Sequence, residues 1–353
     1  MKKEPKPIRT AIISDIHLGS HCADETWHKL AVGYATWLSY ELKARNITQL
    51  FILGDVFNDR KEISGRTISA ATDFFNALSD FEIFVLVGNH DCFYDKGTDV
   101  NSISMLGKWA NMTVITEMTK YNLGGRNILI CPWGSDPMSL GERFDAVFGH
   151  FEINSFNMTQ MQVCEGRMES SDIRKVSPMV FSGHFHLRDE RKYGTDRIYY
   201  VGSPYQLNWG DYGTTKAVYL YDIATGEVDS FLNSYSPVHV KVDAAKLGSG
   251  GVSAANNITG NIVRIVSSAE VEAGIIEKTL RDVQQLKPLE LTCDIKRTPL
   301  AVMALTTADS SEVGSAVTVE DGFRAYVDKL DTSVDKVELH SELLSIYKET
   351  KRG

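Results

Sequence analysis

The sequence predicts a layered α/β domain, then a small α+β region and a helical tail, on three observations. Short apolar runs recur from residue 8 to about 235, helical stretches separate the early ones, and several runs end in a cluster of Gly, Asp, His or Asn. The runs are Ile8–Ser14, Leu50–Leu53, Glu82–Val87, Asn127–Cys131, Asp145–Phe148, Met179–Phe181, Ile198–Val201 and Ala217–Tyr221. They are β-branched or aromatic and too short for helices, which suits strands buried in a sheet. Between them, Thr26–Lys43 carries Trp27, Leu30, Tyr34, Trp37, Leu38 and Leu42 at helical spacing, and Ile68–Leu78 keeps the same period. Alternating strands and helices imply layers packed around shared cores.

A second region opens near Ser236. Val238–Val242 reads as a strand, Lys246–Asn257 as a Gly/Ser/Asn loop, Ile262–Ser267 as a strand, Ala269–Leu286 as a helix and Leu289–Ile295 as a strand. The polar stretch Thr306–Ser315 reads as a linker. Two short helices follow: Val319–Leu330, with Phe323, Tyr326, Val327 and Leu330 on one face, and Lys336–Glu349, with Leu339, Leu343, Ile346 and Tyr347. The expected boundaries are therefore 1–235, 236–305 and 306–353.

Composition excludes several classes. With 353 residues, 43% hydrophobic and 24% charged, the chain is neither disordered nor fibrous. No apolar run is long enough to span a membrane and no apolar leader opens the chain, so a cytoplasmic protein is expected. Cys22, Cys92, Cys131, Cys164 and Cys293 are widely spaced with no CxxC, which predicts buried free thiols in a reducing compartment. Lys plus Arg number 37 against 46 Asp plus Glu, a net charge of −9, which argues against a broad electrostatic grip on nucleic acid. A local grip on phosphate through metal ions stays open.

The chemistry lies in Asp15-Ile16-His17, Gly54-Asp55, Gly88-Asn89-His90-Asp91, Gly149-His150 and Gly183-His184-Phe185-His186. Each falls at the carboxyl end of an expected strand, where open α/β sheets bind ligands. Singly, each has an ordinary reading. Asp-x-His is a common triplet, Gly-Asp and Gly-Asn-His-Asp are turns, and His-Phe-His is an edge strand with two exposed imidazoles. The ordered conjunction, each after its own strand, points instead to a metal centre. Carboxylates, imidazoles and one amide, without thiolate, suit Mn²⁺, Fe²⁺ or Zn²⁺. So many donors exceed one ion and fit two about 3.5–4 Å apart, which activate a water and stabilise an in-line phosphoryl displacement.

These ordered motifs resemble the calcineurin-like metallophosphoesterases. In detail they resemble the SbcD-type nuclease subunits of double-strand-break repair complexes, in the short phage recombination-endonuclease form. The supporting residues are Gly54-Asp55-Val56-Phe57, Gly149-His150-Phe151-Glu152, Ser182-Gly183-His184-Phe185-His186, and Tyr200-Val201-Gly202-Ser203-Pro204-Tyr205-Gln206 close behind. The resemblance is specific over 8–222, weak over 236–300 and architectural for the terminal helices. It implies a layered β-sandwich flanked by helices, a capping domain at 236–305 and a tail that docks on an SbcC-type coiled-coil ATPase.

It also implies site roles. Asp15, His17 and His186 match the ligands of one metal, Asn89, His150 and His184 those of the other, and Asp55 the bridging carboxylate. His90 matches the histidine over the scissile phosphate. The chain departs from the family at Asn58, where members often carry His or Asp to steer that histidine, so Asn58 or Asp59 is expected to take the role. The implied protein is a DNA exonuclease/endonuclease subunit in repair and recombination, using two divalent ions, with Mn²⁺ favoured. It would be a homodimer within a heterotetramer, in the cytoplasm of a bacterium or phage-infected cell. The rivals are a small-molecule or cyclic-nucleotide phosphodiesterase and a non-catalytic scaffold. Arg60, Lys61, Arg66, Arg188, Arg191, Lys192 and Arg197 offer a local DNA contact or an ordinary solvated face. Phe93, Tyr94, Tyr205 and Trp209 offer stacking for an unpaired end or simply core.

Overall fold

The computed structural model describes residues 9–94, 97–166, 168–247, 257–268 and 270–295, together with residues 327, 335–337, 339–342 and 344. Met1–Ile295 forms one compact unit and Lys296–Gly353 a second.

The first unit is built on two six-stranded sheets. One runs β14 (Val228–Leu232), β13 (Ala217–Asp222), β1 (Arg9–Ile13), β2 (Gln49–Ile52), β3 (Glu82–Leu86), β4 (Met112–Ile115). The other runs β11 (Asp189–Tyr193), β12 (Asp196–Tyr200), β10 (Met179–Gly183), β7 (Ala146–His150), β6 (Arg126–Cys131), β5 (Thr119–Leu123). β1 to β4 are mutually parallel, as are β6, β7, β10 and β12, and the antiparallel strands lie toward the edges. A small hairpin of β8 (Asn157–Thr159) and β9 (Gln162–Val163) stands apart.

The inner faces of the two sheets share one core, in which Phe51 stacks on Phe148 at 4.5 Å and Phe148 on Phe181 at 5.3 Å. The outer face of the first sheet is covered by helices Glu25–Ala44 and Gly65–Ala77, capped by Asp24 and Ser64. The outer face of the second is covered by the short helix Ser170–Val176. Central strands are buried on both sides, so they read as continuous apolar runs rather than alternating ones. Every strand run expected from the sequence before residue 235 is present.

Residues after 236 add a parallel three-stranded sheet, β15 (His239–Asp243), β16 (Ile262–Val266) and β17 (Glu290–Asp294), with helix Ala273–Gln285 and its own apolar cluster. It is tied to the larger body by specific polar contacts. Trp27 Nε1 donates to Glu290 Oε1 at 2.8 Å, His239 N–H to Gln206 Oε1 at 2.7 Å, and the Arg264 guanidinium lies 4.1 Å from the Trp209 ring centre. Most of the expected loop 246–257, the linker 306–315 and most of both tail helices lie outside the described residues. Within the second unit, residues 336–337, 339–342 and 344 are helical, and Asp335 caps them by accepting from Val337 N–H at 2.8 Å. All five cysteines are free, but Cys22 and Cys293 are exposed rather than buried. Cys22 sits in a left-handed turn and Cys293 on the edge strand β17, where no core covers it. Among the described residues no helix is long and apolar enough to cross a membrane.

Candidate metal centre

The site lies where the carboxyl ends of both sheets meet, and backbone hydrogen bonds extend the β1–β2 ladder into it. Asp15 N–H donates to Gly54 O at 3.0 Å, His17 N–H to Asp55 O at 3.0 Å and Leu18 N–H to Val56 O at 2.8 Å. The loops turn sharply: Asp15, His17, Asp55 and His184 have φ of 55°, 51°, 52° and 90°. Such left-handed backbone in non-glycine residues costs free energy and concentrates at functional sites. Gly54, at φ 86°, is required as glycine, because a Cβ there would meet Gly88 Cα at 2.7 Å and His150 Nδ1 at 2.6 Å. A Cβ on Gly88 would meet Asp55 Oδ1 at 2.2 Å.

Two donor groups converge. Asp15, His17 and His186 place ligand atoms within 4.8 Å of one another, and so do Asp55, His150 and His184. Asp55 Oδ2 lies 3.7 Å from His17 Nε2 and 3.4 Å from His150 Nε2, so one oxygen faces both groups. Asn89 joins the second, its Oδ1 2.9 Å from His150 Nε2 and 2.8 Å from His184 Nδ1. His184 and His186 share the centre although they alternate in sequence, because β10 ends at Gly183 and the chain leaves the sheet at His184.

The donor chemistry fits a cation. His150 Nδ1–H donates to Leu53 O at 2.7 Å and His184 Nε2–H to Glu152 Oε1 at 3.3 Å. In their neutral forms both imidazoles therefore turn a lone pair toward the Asn89 oxygen, and electron pairs converge with nothing positive between them. His17 Nδ1 is buried without a partner, and no Lys or Arg forms an ion pair with the buried carboxylates of Asp15 and Asp55 among the described residues. Burial pushes Asp15 up to about 7 and pushes His17 and His186 down to about 3 and about 4. Burial also opposes charge on Asp55, but His150, His17 and His90 outweigh it and hold the carboxyl below the usual range. In return Asp55 outweighs the burial of His150 and raises it to about 9. A cation bound here supplies the positive charge that the proton on His150 otherwise provides.

His90 sits on the rim. Its N–H donates to Asp55 Oδ1 at 2.8 Å, and its Nδ1–H to the backbone carbonyl of Asn58 at 2.9 Å, which leaves Nε2 for a ligand. Asn58 therefore reaches His90 through its main chain, while the Asp59 carboxylate accepts from Lys61 and Glu62 N–H. Of the aromatics, Tyr205 is buried and donates to Ile16 O at 2.7 Å, whereas Phe93 and Tyr94 are exposed. Arg188 and Arg191 are engaged in local contacts, the former with Tyr219 and Ser230, the latter with Ser155 O.

Sequence reasoning missed four supporting residues. Asp91 accepts from Gly88, Val56 and Phe57 N–H at 2.9–3.1 Å and clamps two site loops together. Glu152 orients His184. Lys216 and Asp211 form a buried ion pair at 2.7 Å beneath His186. Only Asp91 and Glu152 carried a signal, as members of clusters already singled out.

The fold and the placement of these donors define a metal-dependent phosphoesterase. The pattern of the calcineurin-like phosphoesterases matches residues 8–201, more than half of the chain, and the chain belongs to that family. It is also similar to exonuclease subunit 1 of Enterobacteria phage T4, at 27% identity over 234 residues, 63% of this chain and 67% of the phage protein. Family membership and the two donor groups together imply divalent metal ions.

Proposed function

We propose that this chain is the nuclease subunit of a DNA-end-processing complex that acts in recombination and repair, with two Mn²⁺ ions as cofactors. The observation that carries the proposal is Asp55 Oδ2, which faces both donor groups with His90 beside them. Asp15, His17 and His186 would hold one ion, Asn89, His150 and His184 the other, and Asp55 both. Bound there, the ions would lower the pKa of a water and stabilise charge on the phosphoryl oxygens. Leu53 O and Glu152 fix the tautomers of His150 and His184, and the Asn58 carbonyl fixes that of His90. When protonated, with Nδ1–H on that carbonyl, His90 presents Nε2–H, which stabilises the transition-state charge or passes its proton to the leaving oxygen and leaves the neutral Nδ1–H imidazole.

The similarity to the phage exonuclease subunit supports both a DNA substrate and a partner. In this proposal residues 1–235 are the nuclease domain, 236–305 a cap that narrows DNA access, and 306–353 the dock for an SbcC-type coiled-coil ATPase. The assembly is a homodimer within a heterotetramer in the cytoplasm. End-labelled duplex and single-stranded DNA, digested with Mn²⁺ with and without the ATPase, test it. Mn²⁺-dependent cleavage, stimulated by the ATPase only while residues 306–353 are present, is expected. Hydrolysis of cyclic nucleotides without DNA cleavage would contradict it.

A further inference from the structure

Phe93 and Tyr94 follow the Gly88–Asp91 loop after one buried residue, Cys92, and are 41% and 59% exposed. Phe93 is the only exposed phenylalanine among the described residues, and its ring meets Tyr94 edge-on, with centroids 4.9 Å apart at 83°. Scattered surface aromatics need no explanation, but two adjacent exposed rings beside a reactive centre do. Their support is fixed. Cys92 pairs with Asn101, Phe93 N–H donates to Val100 O at 2.9 Å, and Ser102 N–H donates to Asp91 O at 2.8 Å. Asp91 is in turn clamped to the loops of Gly54-Asp55 and Gly88. Only Asp91 and Cys92 separate Phe93 from His90, so three Cα–Cα steps put their Cα atoms at most about 11 Å apart. That upper bound corresponds to about three nucleotides at about 3.4 Å of stacked strand each.

We infer that Phe93 and Tyr94 form an aromatic ledge that stacks an unpaired nucleobase within about three nucleotides of the phosphate being cut, which rests on the nuclease function proposed above. A net charge of −9 gives the chain no broad attraction for DNA, so stacking supplies affinity that phosphate contacts do not. Bases inside a duplex already have both faces covered, so the ledge selects frayed or single-stranded ends.

The test compares kcat/KM with Mn²⁺ for a single-stranded oligonucleotide and for an abasic strand of the same length. The unaltered protein should prefer the base-bearing strand. In the F93A/Y94A variant that preference should fall about 5- to 150-fold, the range for losing one stacked base. F93L/Y94L, which keeps apolar bulk without a π face, should lose it too, and F93W/Y94W should keep it. Equal cutting of both strands by the unaltered protein, or a preference that survives in the Ala or Leu variant, overturns the ledge while the nuclease function stands. Failure of the unaltered protein to cut either strand overturns both.

Discussion

The ammonium of Lys216 donates to the carbonyl oxygen of His186 at 2.7 Å, from a position buried beneath the site. Its other contacts are Ser203 Oγ at 2.8 Å and Asp211 Oδ1 at 2.7 Å, while Asp211 Oδ2 accepts from Leu207 N–H at 2.9 Å. Ser203 N–H also donates to the His186 carbonyl, at 3.1 Å, and a Cβ on Gly202 would meet that oxygen at 2.8 Å. The Gly202-Ser203-Pro204 segment thus holds the main chain of a candidate metal ligand.

Lys216→Met should cost about 3–5 kcal/mol, because it leaves the Asp211 carboxylate buried without its partner. Adding Asp211→Asn should restore part of that loss, the signature of coupled residues. Urea denaturation of both variants measures it; a cost under about 1 kcal/mol for the single variant would show that the pair does not brace the loop.

Asp91→Ala removes the acceptor for the amides of Val56, Phe57 and Gly88. At about 1–3 kcal/mol for each buried group left unpaired, the expected loss is about 3–5 kcal/mol, since relaxation and water recover part of the sum. Denaturation measures it, and hydrogen exchange should locate faster exchange at those three amides. Unaltered exchange there would contradict the clamp.

His90→Gln should lower the rate of phosphodiester hydrolysis about 10²–10⁴-fold while metal content, read by elemental analysis, stays near that of the unaltered protein. Loss of metal together with rate would make His90 a structural residue rather than a catalytic one.

Stability should fall as acid is added, in part through His239. Burial lowers it to about 4, with the Asp211 carboxylate opposing and His21, Arg264 and Lys216 reinforcing the shift. Because the folded value lies below the ordinary one near 6.5, the unfolded chain takes the proton first, so stability is lost as pH falls from about 6.5 toward 4. His239→Gln should flatten the fall in melting temperature across that window. An unchanged slope would show that His239 does not contribute to the acid sensitivity.

Much of the fold was legible because its central strands are buried on both faces and therefore apolar throughout. The strands that sequence reasoning missed are mostly edge strands. β11 reads Asp-Glu-Arg-Lys-Tyr and β5 Thr-Lys-Tyr-Asn-Leu, and their partners, not their composition, make them strands. The convergence of the candidate ligands was legible because each follows its own strand. The Asn58 contact was not, because a backbone carbonyl carries no residue identity. Lys216 and Asp211 were not, because nothing in a sequence distinguishes a buried ion pair from two ordinary surface charges. Phe93 and Tyr94 read more readily as core, because a sequence does not carry their exposure.

The proposed function requires a two-ion centre bridged by Asp55. Anomalous scattering from Mn²⁺-soaked crystals tests it most directly. Two peaks are expected, one among Asp15, His17 and His186 and one among Asn89, His150 and His184, with the Asp55 carboxylate touching both; Asp55→Asn should weaken both peaks. A single peak, with Asn89 and His150 left without metal, would contradict it.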